Sequence, residues 1–307
     1  MKYLEIEGMR LSRIGLGTWQ FGTREWGYGE TYATVTAPAL VRRAAELGIT
    51  MLDTAEAYGS GRSERILGAA VAELPPELRD PLIVATKFLP IAPAEPVVAW
   101  QAAGSRRRLG TEALDLLYAH WKNPFVSVRR LVQSLRPLVA SGAVGHVGVS
   151  NFTLAQWQEA ERALRGPVVA NQVQLSLVSP GPTDDLVPWA ADHGRVVVAY
   201  SPLGQGVLAG RTSWPGTFGM GRPQGMMASR RPGLDVLRAV LDQVARAHEA
   251  TPAQVALAWI LSFPATIAIP GARTIEQLEE NAAAADLALD PGEIERLTQV
   301  ARALPGG

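Results

Sequence analysis

The chain has no cysteine, no net charge and almost no lysine. With no cysteine among 307 residues, disulfides, thiol nucleophiles and thiolate metal sites are all excluded. The 29 basic side chains are balanced by 29 acidic ones. Without a basic surface the chain has no means of displacing counterions, so no nucleic-acid partner is expected. No apolar run approaches the roughly 20 residues that a membrane-crossing helix needs. The N-terminal stretch MKYLEIEGMR alternates and carries charge. Neither a signal nor a transit peptide is therefore expected, and a cytoplasmic protein with no membrane partner is. Only Lys2, Lys87 and Lys122 are lysine, leaving 26 arginines. A lysine here is not generic positive charge.

What is present is a repeat of short apolar run, loop and amphipathic stretch. The runs that read as strands are Ile14–Gly17, Thr50–Asp53, Leu82–Thr86, Leu114–Ala119, Val144–Val149, Val168–Gln172, Val196–Tyr200 and Thr266–Ile269. Helical patterns lie between them, around Leu40–Glu46, Glu64–Ala72, Val98–Arg108, Val128–Ala140, Ala155–Arg162, Asp185–Ala191, Gln254–Leu261 and Ile275–Ala284. Strands this apolar, separated by helices, imply a parallel sheet covered by helices. Eight such units predict an α/β fold, the closed (β/α)8 TIM barrel. Residues 3–11 predict a hairpin turning at Glu7-Gly8 and closing the barrel floor. Two extra helices are predicted near Leu234–Glu249 and Pro291–Arg302, and the stretch 211–232, rich in Gly, Pro, Met and Arg, reads as a mobile loop. No linker divides the chain, so residues 1–307 read as one domain. Thr153, Thr251 and Thr274 each precede a Gln by three positions, the pattern of a capping box. Pro252 stands at a first helical position, where its missing N–H costs nothing.

In a barrel the chemistry gathers where strands end and loops begin. The second, third and fourth strands end in Asp53 (with Tyr58 in the loop beyond), Lys87 and His120. Neighbouring strands lie about 5 Å apart, so these groups can converge. Lys87 with Asp53 also reads as a structural ion pair, Tyr58 as a loop aromatic and His120 as a packed histidine. Their joint arrival at one rim favours proton transfer by tyrosine. An ammonium about 4 Å from a phenol is worth roughly 4 kcal/mol at an effective dielectric near 20. That would lower the phenol by at most about three pKa units, less the share that Asp53 neutralises. Asp53 would hold Lys87 charged, and neutral His120 would orient a carbonyl or share its proton. Tyr58 is then a general acid.

The motifs Leu16-Gly-Thr-Trp, Met51-Leu-Asp-Thr-Ala-Glu-Ala-Tyr-Gly-Ser-Gly-Arg-Ser-Glu, Ala85-Thr-Lys and Leu114-Asp-Leu-Leu-Tyr-Ala-His-Trp occur in this order. They are followed by Gly148-Val-Ser-Asn-Phe, Asn171-Gln, Tyr200-Ser-Pro-Leu-Gly and Ile269-Pro-Gly-Ala-Arg-Thr with Glu280-Asn281. Together the sequence resembles the aldo-keto reductases over nearly its whole length, in motif style the bacterial and potassium-channel-β-subunit-like branches. The resemblance implies a catalytic tetrad of Asp53, Tyr58, Lys87 and His120, and an extended nicotinamide cofactor bound without a Rossmann domain. It implies that Ser150, Asn151 and Gln172 grip the carboxamide and that Tyr200 stacks under the nicotinamide ring. Ser201, Leu203, Gly204 and Gly206 form a small-residue loop suited to backbone contact with pyrophosphate. Gly271 and Arg273 lead into a helix capped by Thr274, a ready phosphate site. NADP(H) is therefore favoured over NAD(H), with Arg273 on the 2′-phosphate and Glu280 and Asn281 near the adenine. Gln277 reads equally as a cofactor contact and as part of a capping box.

Trp19, Trp26, Tyr28, Phe88 and Trp121 fall near the expected pocket mouth and are candidate substrate-lining residues beside Tyr58 and His120. Met220, Met226 and Met227 offer adaptable apolar contact from the long loop. The expected activity is NADP(H)-dependent reduction of a small aldehyde or ketone. A cofactor-binding regulator or sensor with little turnover is the alternative. No metal site is expected, because only His120 of the four histidines ends a predicted strand.

Overall fold

A computed structural model describes residues 1–22, 31–209 and 232–305. Strands β1 (Tyr3–Ile6) and β2 (Met9–Ser12) form the hairpin, with Ile6 opposite Met9. The two residues between them, Glu7 and Gly8, both have positive φ, 48° and 83°. Such a turn matches the right-handed twist of the strands it joins, and glycine meets its second position without strain.

Eight parallel strands follow: β3 (Leu16–Gly17), β4 (Met51–Asp53), β5 (Ile83–Phe88), β6 (Leu114–Ala119), β7 (Val144–Ser150), β8 (Val168–Gln174), β9 (Val196–Tyr200) and β10 (Thr266–Ala268). They pair in sequence order. The ends of the sheet meet: Ile14 bridges Ala268, the Gly15 N–H donates to the Ala268 carbonyl at 2.8 Å, and the Gly17 N–H donates to the Pro270 carbonyl at 3.1 Å. The architecture is a (β/α)8 barrel.

Both faces of its strands are apolar, for different reasons. Along β9, Val196 and Val198 pack inside with Met51, Ala85, Leu116, Ile267 and the hairpin's Ile6, Met9 and Leu11. Val197 and Ala199 face the outer helices. The hairpin thus plugs the floor.

Most predicted elements are present, including the extra helices Leu234–Ala247 and Pro291–Arg302. The first of these buries Leu234, Leu237, Val240, Leu241 and Val244, a single helical stripe. Two expectations need correction. The helix read over Val128–Ala140 is two, Val128–Gln133 and Arg136–Ala140. Pro137 has no N–H to give the Gln133 carbonyl, and the ladder breaks there. Thr153 and Thr251 form complete capping boxes, but at Thr274 the Gln277 side chain accepts from the Arg273 N–H at 3.0 Å instead. A further box, Asp290 with Glu293, went unread. The long loop 211–232, with its three methionines, lies outside the described residues apart from Pro232. Among the described residues no helix is long and apolar enough to cross a membrane.

Candidate active site

Asp53 ends β4, Lys87 is the fifth residue of β5, and His120 directly follows β6. The loop after β4 turns back at once, with the Tyr58 N–H donating to the Ala55 carbonyl at 3.1 Å. The four side chains meet inside the rim. Lys87 is fully buried. Its Nζ donates to Asp53 Oδ2 at 2.6 Å, to the Thr54 carbonyl at 2.8 Å and to the Tyr58 hydroxyl at 3.2 Å. An ammonium has three N–H bonds and no acceptor. All three are committed, and the phenol oxygen receives one of them. The Tyr58 proton is therefore left to point away from Lys87.

Asp53 is 2% exposed, and its second oxygen accepts from Gln172 Nε2 at 2.6 Å. Burial pushes its carboxyl up, against the pull of Lys87 and Gln172. For Lys87, burial works to lower the ammonium. The charge of Asp53 and the bonds to Asp53 and Tyr58 outweigh it, so the group sits above its usual range and stays charged. Tyr58 reverses the expectation. Burial around the hydroxyl raises the phenol above its ordinary value, and the opposing charge of Lys87 does not bring it back down. Burial and then the Lys87 charge push His120 down to about 3, so it is neutral at physiological pH. Its ring meets Tyr58 edge-on with centroids 5.9 Å apart, and Nδ1 is buried without a hydrogen-bond partner.

Beside this cluster the ends of β7, β8 and β9 are stitched together. Ser150 Oγ donates to the Gln172 carbonyl at 2.8 Å. Asn151, with φ at 60°, donates from Nδ2 to Ser150 Oγ at 3.1 Å and accepts from the Tyr200 hydroxyl at 2.9 Å. Tyr200 is half-buried, its hydroxyl pinned at this bond. The Ser201 carbonyl (φ 49°) accepts from the Gly204 N–H at 2.9 Å and the Leu203 carbonyl from the Gly206 N–H at 3.0 Å, the tight turns that open Gly204–Ala209.

A second group surrounds the start of helix Ile275–Ala283. Asn281 Nδ2 donates to the Gly271 carbonyl at 3.5 Å, and Gln277 holds the Arg273 N–H. Among the described residues Arg273 makes no ion pair. Glu280 is otherwise engaged, accepting from Thr251 Oγ1 at 2.6 Å.

Over residues 13–302 the chain matches the model of the aldo/keto reductase family. It belongs to that family. The aldo/keto reductase is 46% identical to an uncharacterized oxidoreductase of Mycobacterium tuberculosis, over 99% of this chain and 94% of the relative. It is 33% identical to a methylglyoxal reductase of Escherichia coli, over 96% and 93%. A crystal structure of an aldo/keto reductase from Klebsiella pneumoniae in complex with NADP and acetate superposes with a TM-score of 0.79 at 31% identity, covering 97% of this chain and 95% of that one.

Of the candidate substrate residues in this aldo/keto reductase, Trp19 and Trp121 are exposed at 36% and 45%. The Trp121 ring packs edge-on against His120, centroids 4.0 Å apart. Phe88 is corrected: it is fully buried in the core between barrel and helices. Strand alternation decides this, since Lys87 faces inward and its neighbour must face out. Trp26 and Tyr28 lie outside the described residues.

Sequence reasoning missed the supporting groups. Ser63 Oγ accepts from Thr54 Oγ1 at 2.9 Å and donates to the Thr18 carbonyl at 2.8 Å. Buried Glu64 accepts from Thr86 Oγ1 and from Arg108 Nε, both at 2.6 Å. The signal was the Arg-Ser-Glu that closes the β4 motif. Gly22 and Gly59 were missed as well. A Cβ on Gly22 would stand 2.4 Å from the Tyr58 carbonyl carbon, and one on Gly59 would stand 2.1 Å from the Gly22 carbonyl oxygen. Only two glycines permit this approach of backbone to backbone.

Proposed function

We propose that this aldo/keto reductase reduces an aldehyde or ketone to an alcohol, using NADPH as hydride donor and Tyr58 as proton donor. The observation that carries the reading is the saturation of Lys87. Its ammonium donates to the Tyr58 oxygen and so stabilises the charge that builds there as the proton leaves. The phenol proton remains free for a carbonyl oxygen. Asp53, held by Gln172, keeps Lys87 charged and aimed. His120, neutral and beside Tyr58, offers an uncharged donor that orients the carbonyl.

The chain's residues fit a dinucleotide. Ser150, Asn151 and Gln172 present amide and hydroxyl groups near His120, where a carboxamide can be bound, and Tyr200 presents its ring beside them. Arg273, with no carboxylate partner among the described residues, suits the 2′-phosphate of NADP(H). When bound, the nicotinamide supplies the hydride, and the protein supplies position and proton. The NADP-bound Klebsiella relative and the methylglyoxal reductase of Escherichia coli support the cofactor and the substrate class.

The test is loss of NADPH absorbance with methylglyoxal and a panel of aldehydes, ketones and sugars, run beside NADH. Turnover with NADPH is expected, with Arg273→Ala raising the KM for NADPH roughly tenfold or more and leaving that for NADH little changed. Tight NADPH binding without turnover of any carbonyl would overturn the enzymatic reading in favour of a sensor.

A further inference from the structure

Ser63, the second residue of helix Arg62–Ala72, is fully buried and reaches the chain around three of the four clustered side chains. Its N–H donates to the Tyr58 carbonyl at 3.2 Å. Its Oγ accepts from Thr54 Oγ1 at 2.9 Å, and the Thr54 carbonyl is the one that takes a Lys87 proton at 2.8 Å. The Ser63 proton goes to the Thr18 carbonyl at 2.8 Å, and Thr18 Oγ1 lies 2.8 Å from the same hydroxyl. Thr18 in turn holds the Asp53 carbonyl twice, from its N–H and from its hydroxyl, both at 2.9 Å. Thr18 and Thr54 are as buried as Ser63, so bulk water reaches none of the three hydroxyls.

The three bonds of the Lys87 ammonium are unequal. The bond to Asp53, at 2.6 Å, joins two charges, while the bond to Tyr58, at 3.2 Å, is the longest. One bond alone leaves an ammonium free to turn about its Cε–Nζ axis, and a second stops it. Asp53 supplies the first and the Thr54 carbonyl the second. The direction of the remaining N–H, toward the Tyr58 oxygen, therefore follows from where that carbonyl stands. Without Ser63 Oγ the Thr54 hydroxyl has no acceptor in a dry interior, where an unmade hydrogen bond is costly. Thr54 relieves that cost by shifting, and its carbonyl moves with it.

We propose that Ser63 is a positioning residue whose hydroxyl, acting through Thr54, aims Lys87 at the Tyr58 oxygen. Ser63 itself touches no reacting atom. Its effect on turnover rests on the reductase reading above, whereas its effect on Lys87 does not.

The experiment observes Lys87 and turnover separately. Lys2 and Lys122 are exposed and exchange their ammonium protons with water quickly, so in NMR of protein carrying isotope-labelled lysine the slowly exchanging Nζ signal is that of Lys87. Ser63→Ala is expected to speed this exchange about fivefold to tenfold, while the N–H of Val198, buried in β9, exchanges at nearly its former rate. Thr54→Val keeps the size and the carbonyl but removes the hydroxyl; it should do the same, and it carries the test if Ser63→Ala does not fold. In both, turnover with NADPH falls about tenfold, in kcat and not in the KM for NADPH. A purely structural role would speed exchange at Lys87 and Val198 by one common factor. That result overturns the inference, as does wild-type exchange at Lys87 in a folded variant, or an unchanged kcat. Failure of the reductase reading looks different: Lys87 loosens as stated, yet the wild type itself reduces no carbonyl with NADPH.

Discussion

Gln172 donates from Nε2 to Asp53 Oδ1 at 2.6 Å, joining β8 to β4 across 119 residues of chain. Gln172→Leu removes that donor and leaves one oxygen of a buried carboxylate without a partner. A loss of about 1–3 kcal/mol is expected in urea unfolding. Asp53 then rises further from the ordinary carboxylate range, holds Lys87 less firmly, and kcat falls with it. Unchanged stability and kcat would show that the bond is dispensable.

Tyr58→Phe removes the proposed proton donor and leaves the groups around Ser150, Asn151 and Tyr200 untouched. Reduction should fall about 10²–10⁴-fold while the Kd for NADPH changes little. Steady-state turnover beside a fluorescence titration of NADPH separates the two.

The pH dependence follows from two opposite shifts. On the proposed mechanism reduction needs protonated Tyr58, and that phenol lies above its ordinary value of 10.0. The reductive rate should therefore stay level from neutral pH to about pH 9 and fall only beyond, while oxidation of an alcohol should rise with pH across the same range. His120 affects stability instead. Its ordinary value of 6.5 falls to about 3 in the folded protein, so below pH 6.5 the unfolded chain takes up a proton that the folded chain refuses. Stability contributed by the neutral ring is present above that value and drains away as pH falls toward 3, by up to about 4 kcal/mol. Denaturant midpoints of His120→Gln against pH should be flatter through this window than those of the wild type.

Gly22→Ala tests the close approach beneath Tyr58. The added methyl displaces the backbone of residues 58 and 59, and the phenol with it. An error of about 1 Å in a catalytic group can cost roughly 10²-fold in rate. The expected result is a kcat loss well beyond what the change in Tm accounts for, measured on the same preparation.

How much of this was legible in the sequence follows from what a sequence displays. The barrel was, because runs such as Val196–Tyr200 are apolar on both faces and helices separate them. The meeting of Asp53, Lys87 and His120 with Tyr58 was, because strand ends put the first three on one rim. Phe88 was misread because a strand's last residues can face either way, and only the inward Lys87 fixes the phase. The break before Pro137 was legible in principle, since proline cannot donate, but the apolar spacing on either side hid it. The direction of the Tyr58 shift was not legible: charges can be counted in a sequence, whereas burial around a hydroxyl is a property of the fold. The bonds of Asn123 to the Pro90 and Ile91 carbonyls and from the Phe125 N–H were invisible for a related reason: these partners are main-chain groups, which carry no mark in the sequence.

The scarcity of lysine has a practical consequence in the folded chain. Lys2 and Lys122 are exposed, and Lys87 is the only other side-chain amine the chain possesses. An acylating reagent added to the native protein meets Lys2 and Lys122 freely, but it reaches Lys87 only when the rim opens or the barrel unfolds. Mass spectrometry of the third side-chain acylation event thus reads the opening of this site directly. The buried amine is a built-in chemical clock for the stability of its own pocket.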